Sequence, residues 1–182
     1  MRNPFLDPLP ASSRTPSDSE MHPHAELIHS FYAAFQRRDH RAMAACYAPD
    51  AEFHDPVFTH LSGRRVAAMW RMLCERATDL RFEVDDVRVS AETGSAHWEA
   101  WYTFSQTGRH VHNRVNASFQ FQDGKIRRHT DVFDLHAWAR QALGLKGLLL
   151  GWAPPVQRAI RAQAARALEA FGQKHGLGSG AA

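Results

Sequence analysis

The sequence predicts an α+β domain, because helical and strand periodicities occupy separate stretches of the chain. Up to about residue 78, apolar residues recur every three or four positions, which is typical of amphipathic helices. From residue 82 to residue 133 they alternate with polar residues, and turn residues separate the alternating runs. Helices followed by hairpins indicate an α+β arrangement with antiparallel strands and not a repeated β-α-β fold.

Two helices are predicted before the first extended segment. The first follows Pro23, and its apolar face contains Leu27, Ile28, Phe31 and Phe35. The second is short, with Asp39 as its N-cap and Tyr47 as its last residue. An extended run over residues 51–54 then leads to Asp55-Pro56, where proline favours an extended or turning backbone.

A third helix is predicted from Gly63 to about Thr78, followed by four strands. The strands are predicted at residues 82–90, 97–105, 114–121 and 126–133. Their turns are predicted at Thr93-Gly94, Thr107-Gly108 and Asp123-Gly124. Asp134 can cap a last core helix that stops at Gly144, and Pro154 opens a tail helix rich in alanine and arginine.

This pattern divides the chain into four parts. Residues 1–21 are predicted to be a disordered leader, 22–144 the α+β domain, and 177–182 a disordered tail. Residues 145–176 are predicted to contain an apolar connector and an amphipathic C-terminal helix. That helix is expected to pack against its own domain, the pocket mouth or a second subunit, with Leu148 to Trp152 as the docking segment.

Composition excludes several classes of function. The net charge is only +3 and the basic residues are scattered, so no nucleic-acid surface is expected. No apolar run is long enough to cross a bilayer, and the tail helix has too thin an apolar face for firm membrane contact. Cys46 and Cys74 lie in apolar helical contexts and are predicted to be buried thiols. With no targeting segment evident, a cytoplasmic location is expected.

Four motifs carry a resemblance to a known superfamily. They are FYAAFQRRD (31–39), YAPDAEFHDP (47–56), DGKI (123–126) and HTD (129–131). From roughly His24 to Leu143, the chain resembles the nuclear transport factor 2-like superfamily, and within it SnoaL-like and ketosteroid-isomerase-like proteins. The resemblance implies a cone-shaped, curved antiparallel or mixed sheet wrapped around the N-terminal helices, here with an extra C-terminal helix. It also implies a homodimer through the convex sheet face.

The same resemblance assigns the catalytic base to Asp55 and indicates that two oxyanion donors of the family are replaced in this chain. It puts the proton-shuttling aspartate of ketosteroid isomerase at Asp55, its oxyanion-hole tyrosine at Phe31 and its protonated aspartic acid at about Ala117. Both oxyanion donors are therefore missing, so steroid isomerisation by that machinery is not expected. Apolar neighbours are expected to desolvate Asp55 and raise its pKa, which suits a base near neutral pH. Alternatively, Asp55 is a turn residue that binds local amides.

His129 and Asp131 are two residues apart on a predicted strand and therefore share one face of the sheet. The family pattern turns that face toward the cavity. Asp131 would then orient the imidazole of His129, which would polarise a carbonyl or position a water molecule. The alternatives are a buried pair that satisfies itself or a pair on the convex surface, because a shift of one residue reverses the face.

Further residues are predicted to contact the substrate. Tyr102 and Asn113 can donate hydrogen bonds into the pocket. The other predicted substrate-binding residues are Phe31, Tyr32, Trp70, Trp98, Ala117, Phe119 and Phe133. Despite twelve histidines, no spacing is convincing for a metal site, and no phosphate loop or dinucleotide motif is present. We therefore expect neither a metal nor a cofactor.

Together these features predict a cofactor-independent enzyme of isomerase, cyclase, dehydratase or hydrolase type. Its substrate would be a small apolar molecule, and Asp55 would be the general base. The alternative is a non-catalytic ligand-binding or protein-interaction module of the same fold, since this scaffold carries both kinds of function.

Overall fold

The helices and strands follow the predicted order over residues 22–177, which are the residues that this computed structural model describes. Within that range the helices are α1 (Pro23–Gln36), α2 (His40–Ala45), α3 (Arg64–Arg76), α4 (Leu135–Leu143), α5 (Leu145–Leu150) and α6 (Pro154–Lys174). The strands are β1 (Tyr47–His54), β2 (Leu61–Ser62), β3 (Arg81–Val89), β4 (Thr93–Phe104), β5 (Arg109–Gln122) and β6 (Lys125–Val132). The predicted α+β class is confirmed. The predicted leader (1–21) and most of the predicted tail (178–182) lie outside the described residues.

The strands form a curved mixed sheet with the order β2-β1-β6-β5-β4-β3. Strands β3 to β6 are antiparallel neighbours joined by turns, as the alternating pattern predicted. Strand β1 instead pairs in parallel with β6, which brings Phe53 beside His129. Irregular register in three of the strand pairs bends the sheet.

Aromatic side chains fill the core between α1, α3 and the sheet. Phe31, Tyr32 and Phe35 of α1 are buried, and Phe35 packs edge-on against Trp70 of α3 and Phe82 of β3. The predicted apolar face of the first helix is therefore the face that meets the sheet. Both cysteines are buried and free, as expected from their apolar contexts.

Three predicted boundaries were wrong. One is the start of β5, which begins at Arg109 and not at residue 114. Tyr47 begins β1 and does not end the second helix, because Ile126 donates its amide to the carbonyl of Cys46 at 2.9 Å and Tyr47 joins the ladder beside Ile126. Thr93 and Gly94 belong to β4, and the turn before them is closed by the amide of Ser90 and the carbonyl of Thr93.

The segment predicted to be a connector is the short helix α5. Gly147 packs so closely on α4 that a Cβ atom there would lie 1.9 Å from the carbonyl oxygen of Ala139. Within the described residues, the side chains of Leu148 to Trp152 do not dock on the domain, and their docking on a second subunit stays a prediction. Apolar side chains on the outside of this segment remain exposed. They are Leu145, Leu148, Leu149, Leu150 and Trp152. The domain contact comes from α6, which buries Leu168 and Phe171 in the core. None of the helices within residues 22–177 is long and apolar enough to cross a membrane.

Candidate functional site

A cavity of about 270 Å³ lies between the sheet, α3 and α6. Its volume is just below the usual range for ligand pockets, which suits a small molecule. Apolar and aromatic side chains supply most of its wall, among them Phe53, Met69, Trp70, Trp98, Phe104, Phe133 and Trp138. The ionisable or polar side chains that line it include Asp55, Asp131, Tyr102 and Asn113. The cavity therefore presents two carboxyl groups and several hydrogen-bond donors on an apolar background, and Arg76 adds a guanidinium to its lining.

Asp55 lies in the turn that follows β1. Its Oδ1 accepts hydrogen bonds from the amides of Val57, at 2.7 Å, and Phe58, while its own amide donates to the carbonyl of Phe58 at 2.9 Å. Within the described part of the chain, its Oδ2 has no hydrogen-bond partner. Asp55 is thus both a turn residue and a cavity carboxyl group, and the two interpretations of the sequence are compatible.

Burial raises the pKa of Asp55 from 3.8 to about 6. The hydrogen bond from the Phe58 amide opposes this change, and the negative charge of Asp131 adds to it. The weaker opposing contributions come from the Val57 amide and His54. A carboxyl group with such a pKa can exchange a proton near neutral pH.

Asp131 is the second carboxyl group, and strand β6 positions it. Its side chain is buried, and its Oδ1 faces His129 Nε2 at 2.9 Å and accepts from Trp98 Nε1 at 3.4 Å. No described residue donates to its Oδ2. Because Asp131 lines the cavity, this second oxygen is the one available to a ligand.

His129 connects Asp131 to a chain of buried aromatic residues. Its Nδ1 lies 2.6 Å from the hydroxyl of Tyr47, which in turn accepts a hydrogen bond from Trp70 Nε1 at 3.0 Å. If Nε2–H donates to Asp131, the Tyr47 hydroxyl donates to Nδ1 and each donor meets an acceptor. The residues Trp70, Tyr47, His129, Asp131 and Trp98 form what we call the buried relay.

This geometry does not fit the predicted contact between His129 and a substrate. The ring is fully buried, both nitrogens already have partners, and His129 is not among the cavity-lining residues. Asp131 stands between the imidazole and the cavity. Sequence reasoning missed Tyr47, which it assigned to a helix. Pro49, two residues later, disfavours a continuing helix and could have indicated the strand.

Tyr102 and Asn113 supply hydrogen-bond donors to the cavity. The Tyr102 hydroxyl accepts from Trp138 Nε1 at 2.9 Å, so its own proton remains free to donate. Burial raises the pKa of Tyr102 to about 12. The hydrogen bond from Trp138 lowers this pKa, and the negative charge of Asp55 raises it further. Tyr102 therefore stays protonated at neutral pH. The side-chain amide of Asn113 has no partner among the described residues.

The remaining predicted substrate contacts divide into two groups. Trp70, Trp98 and Phe133 line the cavity. The side chains of four others are packed in the core and do not line it, namely Phe31, Tyr32, Ala117 and Phe119. They lie where α1 covers the sheet, and Phe31 fills the space against the rings of Tyr47, Trp70 and His129.

Two further features of the site concern polar groups. The Tyr32 hydroxyl is buried and finds no hydrogen-bond partner within residues 22–177. Across the same residues, no three histidine, cysteine, aspartate or glutamate side chains converge in an arrangement that could hold a metal ion.

Residues 28–129 match the SnoaL-like domain, which is more than half of the chain. The chain belongs to the SnoaL-like domain family. The resemblance inferred from the four motifs is thus confirmed. The family match ends at His129, so Asp131 and helices α4 to α6 lie beyond it.

Solved structures show the same fold at low sequence identity. A nuclear transport factor 2-like protein of unknown function from Burkholderia pseudomallei is 20% identical, with a TM-score of 0.59 over 67% of this chain and 98% of its own. A candidate polyketide cyclase from Pseudomonas putida is 24% identical, with a TM-score of 0.56 over 68% of this chain and 99% of its own. An LEH-like epoxide hydrolase from M. tuberculosis is 21% identical, with a TM-score of 0.55 over 71% of this chain and 96% of its own. No curated protein matches the chain by sequence. At these identities the likeness establishes the fold, and the reaction must be argued from the cavity.

Proposed function

We propose that the chain is a cofactor-independent enzyme that transfers a proton on a small, largely apolar molecule, with Asp55 as the general base. The observation that carries this proposal is the Asp55 carboxyl group itself. It faces an apolar cavity with one free oxygen, and its pKa is raised to about 6. A base with a pKa near the working pH combines the ionised form with a useful affinity for the proton. The reaction would be of isomerase, cyclase, dehydratase or hydrolase type.

The chemical step follows from the groups around the cavity. Asp55 Oδ2 would accept a proton from an activated C–H bond or from a water molecule. Negative charge would then develop on a substrate oxygen, and among the donors that line the cavity we assign the Tyr102 hydroxyl and the Asn113 amide to it. A single well-aimed donor of this kind contributes roughly 3–4 kcal/mol to the transition state. These donors would replace those missing at Phe31 and Ala117.

Asp131 would act as a second, fixed acceptor. Its free Oδ2 would bind a substrate hydroxyl or a water molecule, while the buried relay keeps the carboxylate in one orientation. His129 would then be a positioning residue that works through Asp131. The fold is shared with a candidate polyketide cyclase and an epoxide hydrolase, which supports the cyclase and hydrolase types.

The homodimer through the convex sheet face and the cytoplasmic location remain predictions. Residues on the outward face of β4 and β5 would form the contact, including the half-buried stacked pair Trp101 and His112, whose ring centroids are 4.4 Å apart. Light scattering on the purified chain tests the dimer, and Trp101→Glu should convert it to a monomer.

The proposed function is tested by a ligand and turnover screen with matched variants. Wild type, Asp55→Asn and the exposed control Asp85→Asn are screened by thermal shift against steroids, polyketide-like aromatics, terpene epoxides and fatty acids. A ligand at 100 times its Kd stabilises the protein by about 2.7 kcal/mol. We expect one class to stabilise all three proteins, and Asp55→Asn to convert it about 10²–10⁴-fold more slowly. Conversion by Asp55→Asn at the wild-type rate would exclude Asp55 as the base. Binding without conversion by any of the three would favour a ligand-binding module.

A further inference from the structure

The C-terminal helix α6 forms one wall of the cavity. Ile160, Gln163, Ala164 and Ala167 line it, and their spacing puts them on a single stripe of the helix. Because α6 lies beyond the family match, this wall is an addition of this chain to the matched domain. Ala164 and Ala167 are small, so the wall leaves room for a ligand.

Arg161 lies beside that stripe and reaches the turn that carries Asp55. Its Nε donates a 2.9 Å hydrogen bond to the carbonyl oxygen of Pro56, across 105 positions of sequence. Among the described residues, that carbonyl accepts no other hydrogen bond. Pro56 joins Asp55 to the two amides, of Val57 and Phe58, that orient its carboxyl group. A movement of this carbonyl would therefore move Asp55.

We propose that Arg161 is a positioning residue which, from the C-terminal helix, fixes the Asp55 turn against the cavity. This inference rests on the proposed function for its catalytic meaning, whereas the coupling between α6 and the turn is a property of the fold. A planar guanidinium suits the role, because its donors have a rigid geometry that a lysine ammonium lacks. The helix that encloses the ligand would thereby also orient the base.

Other contacts hold α6 in place, so a substitution of Arg161 should remove its hydrogen bond to Pro56 without releasing the helix. Leu168 and Phe171 are buried in the core, and the guanidinium of Arg71 lies 5.8 Å from the ring centre of Phe171. Gln163 Nε2 donates to Gln106 Oε1 at 2.7 Å. Removal of the Arg161 hydrogen bond should therefore loosen the turn while α6 remains docked.

The test is a titration of the Asp55 carboxyl carbon by NMR, with Asp55→Asn used for assignment. The protein variants are Arg161→Gln, the conservative Arg161→Lys, and Arg158→Gln, which removes an exposed arginine from the same helix. The charged or titratable groups that act on Asp55 are His54, Asp131 and Tyr102, and all stay unchanged. A looser turn admits water, which favours the ionised form, but it also weakens the Val57 and Phe58 hydrogen bonds, which favour that form too. The exchange rates of these two amides therefore decide the test, and the Asp55 titration is read beside them.

In Arg161→Gln we expect the Val57 and Phe58 amides to exchange about tenfold faster, and the Asp55 midpoint to shift with them. Arg161→Lys should recover part of both changes, and Arg158→Gln should match the wild type. An unchanged midpoint and unchanged exchange in Arg161→Gln would overturn the proposal. A raised midpoint with unchanged amide exchange would overturn it too, since Arg161 would then act only as a nearby positive charge. These readouts need no substrate, so they stand even if the proposed enzymatic function fails.

Discussion

Asp55 and Asp131 face the same cavity with the same local pattern, in which Oδ1 is occupied and Oδ2 is free, but different parts of the structure orient them. The partners of Asp55 are backbone amides two and three residues away in its own turn. Those of Asp131 are side chains of other residues, and they continue through His129 to Tyr47 on a different strand. One carboxyl group depends on a local turn, the other on a long-range network of aromatic side chains.

Because they are held differently, the two carboxyl groups suit different roles in the reaction. A turn at the edge of the cavity can accept a change in protonation without disturbing the core, so Asp55 suits proton transfer. The buried relay has little freedom, because Trp70, Tyr47 and His129 are also packed against Phe31. Asp131 therefore suits a fixed acceptor.

His129→Ala should destabilise the fold by about 3–5 kcal/mol, because it leaves a buried carboxylate without its main partner and Tyr47 without its acceptor. Urea unfolding measures the change. His97→Ala is the matched control on the exposed face, where His97 pairs only with Asn116 and Glu99 and should contribute less than about 1 kcal/mol. Equal effects of the two variants would contradict the structural role of the relay.

Asp55→Asn should stabilise the fold by up to about 3 kcal/mol at pH 8, at 1.36 kcal/mol for each unit of raised pKa. Because the folded pKa is raised, the folded state favours the protonated form. That advantage is complete below pH 3.8 and is lost as the pH rises through about 6. Above that pH the buried, charged carboxylate destabilises the folded state. Asparagine removes the charge, and its Oδ1 can still accept hydrogen bonds from the Val57 and Phe58 amides.

The measurement for Asp55→Asn is urea unfolding at pH 4 and pH 8, with Asp85→Asn as the exposed control. The difference from wild type should be large at pH 8 and nearly absent at pH 4, whereas Asp85→Asn should stay within about 0.5 kcal/mol at both. A stabilisation that is the same at both pH values would show that burial does not raise the pKa of Asp55.

Much of the fold and the cavity could be predicted from the sequence. The Asp39 and Asp134 caps, the Asp123-Gly124 hairpin and the alternation in β4 and β5 are local patterns, and each leads to the predicted element. Asp55 was found because a turn and a family motif coincide there. Alternation in β4 likewise identified Trp98 and Tyr102 as inward-facing residues.

The parts that sequence analysis missed depend on long-range pairing. Tyr47 meets His129 only because β1 lies parallel to β6, and nothing in either segment specifies that partner. For the same reason His129 was expected to reach the substrate, since the partner of its Nδ1 is Tyr47, which is far away in sequence. Arg161 and Pro56 are a third case, because only the docking of α6 brings them together.

Tyr47→Phe should destabilise the fold by about 1–3 kcal/mol, because it leaves the buried Trp70 Nε1–H without an acceptor and His129 Nδ1 without a donor. The ring is retained, so the loss reports on the hydroxyl alone. Thermal unfolding measures it, and the Asp55 midpoint should not change. A shifted Asp55 midpoint in this variant would mean that the two carboxyl groups are not independently supported.

Trp98→Phe should have the smallest effect, less than about 1 kcal/mol, since the contact from its Nε1 to Asp131 is long at 3.4 Å. It retains an aromatic side chain in the cavity wall. Urea unfolding of Trp98→Phe and Tyr47→Phe side by side compares the hydrogen bonds at the two ends of the relay. If Trp98→Phe were the more destabilising variant, Trp98 and not His129 would be the main residue that holds the Asp131 carboxylate in place.

The most direct test of the account is the titration of the wild-type Asp55 carboxyl carbon between pH 3 and pH 9. The account predicts a midpoint near 6 that disappears in Asp55→Asn and persists in Asp85→Asn. A midpoint at or below 4 would contradict it, because Asp55 would then be an ordinary turn carboxylate and too weak a base for the proposed proton transfer.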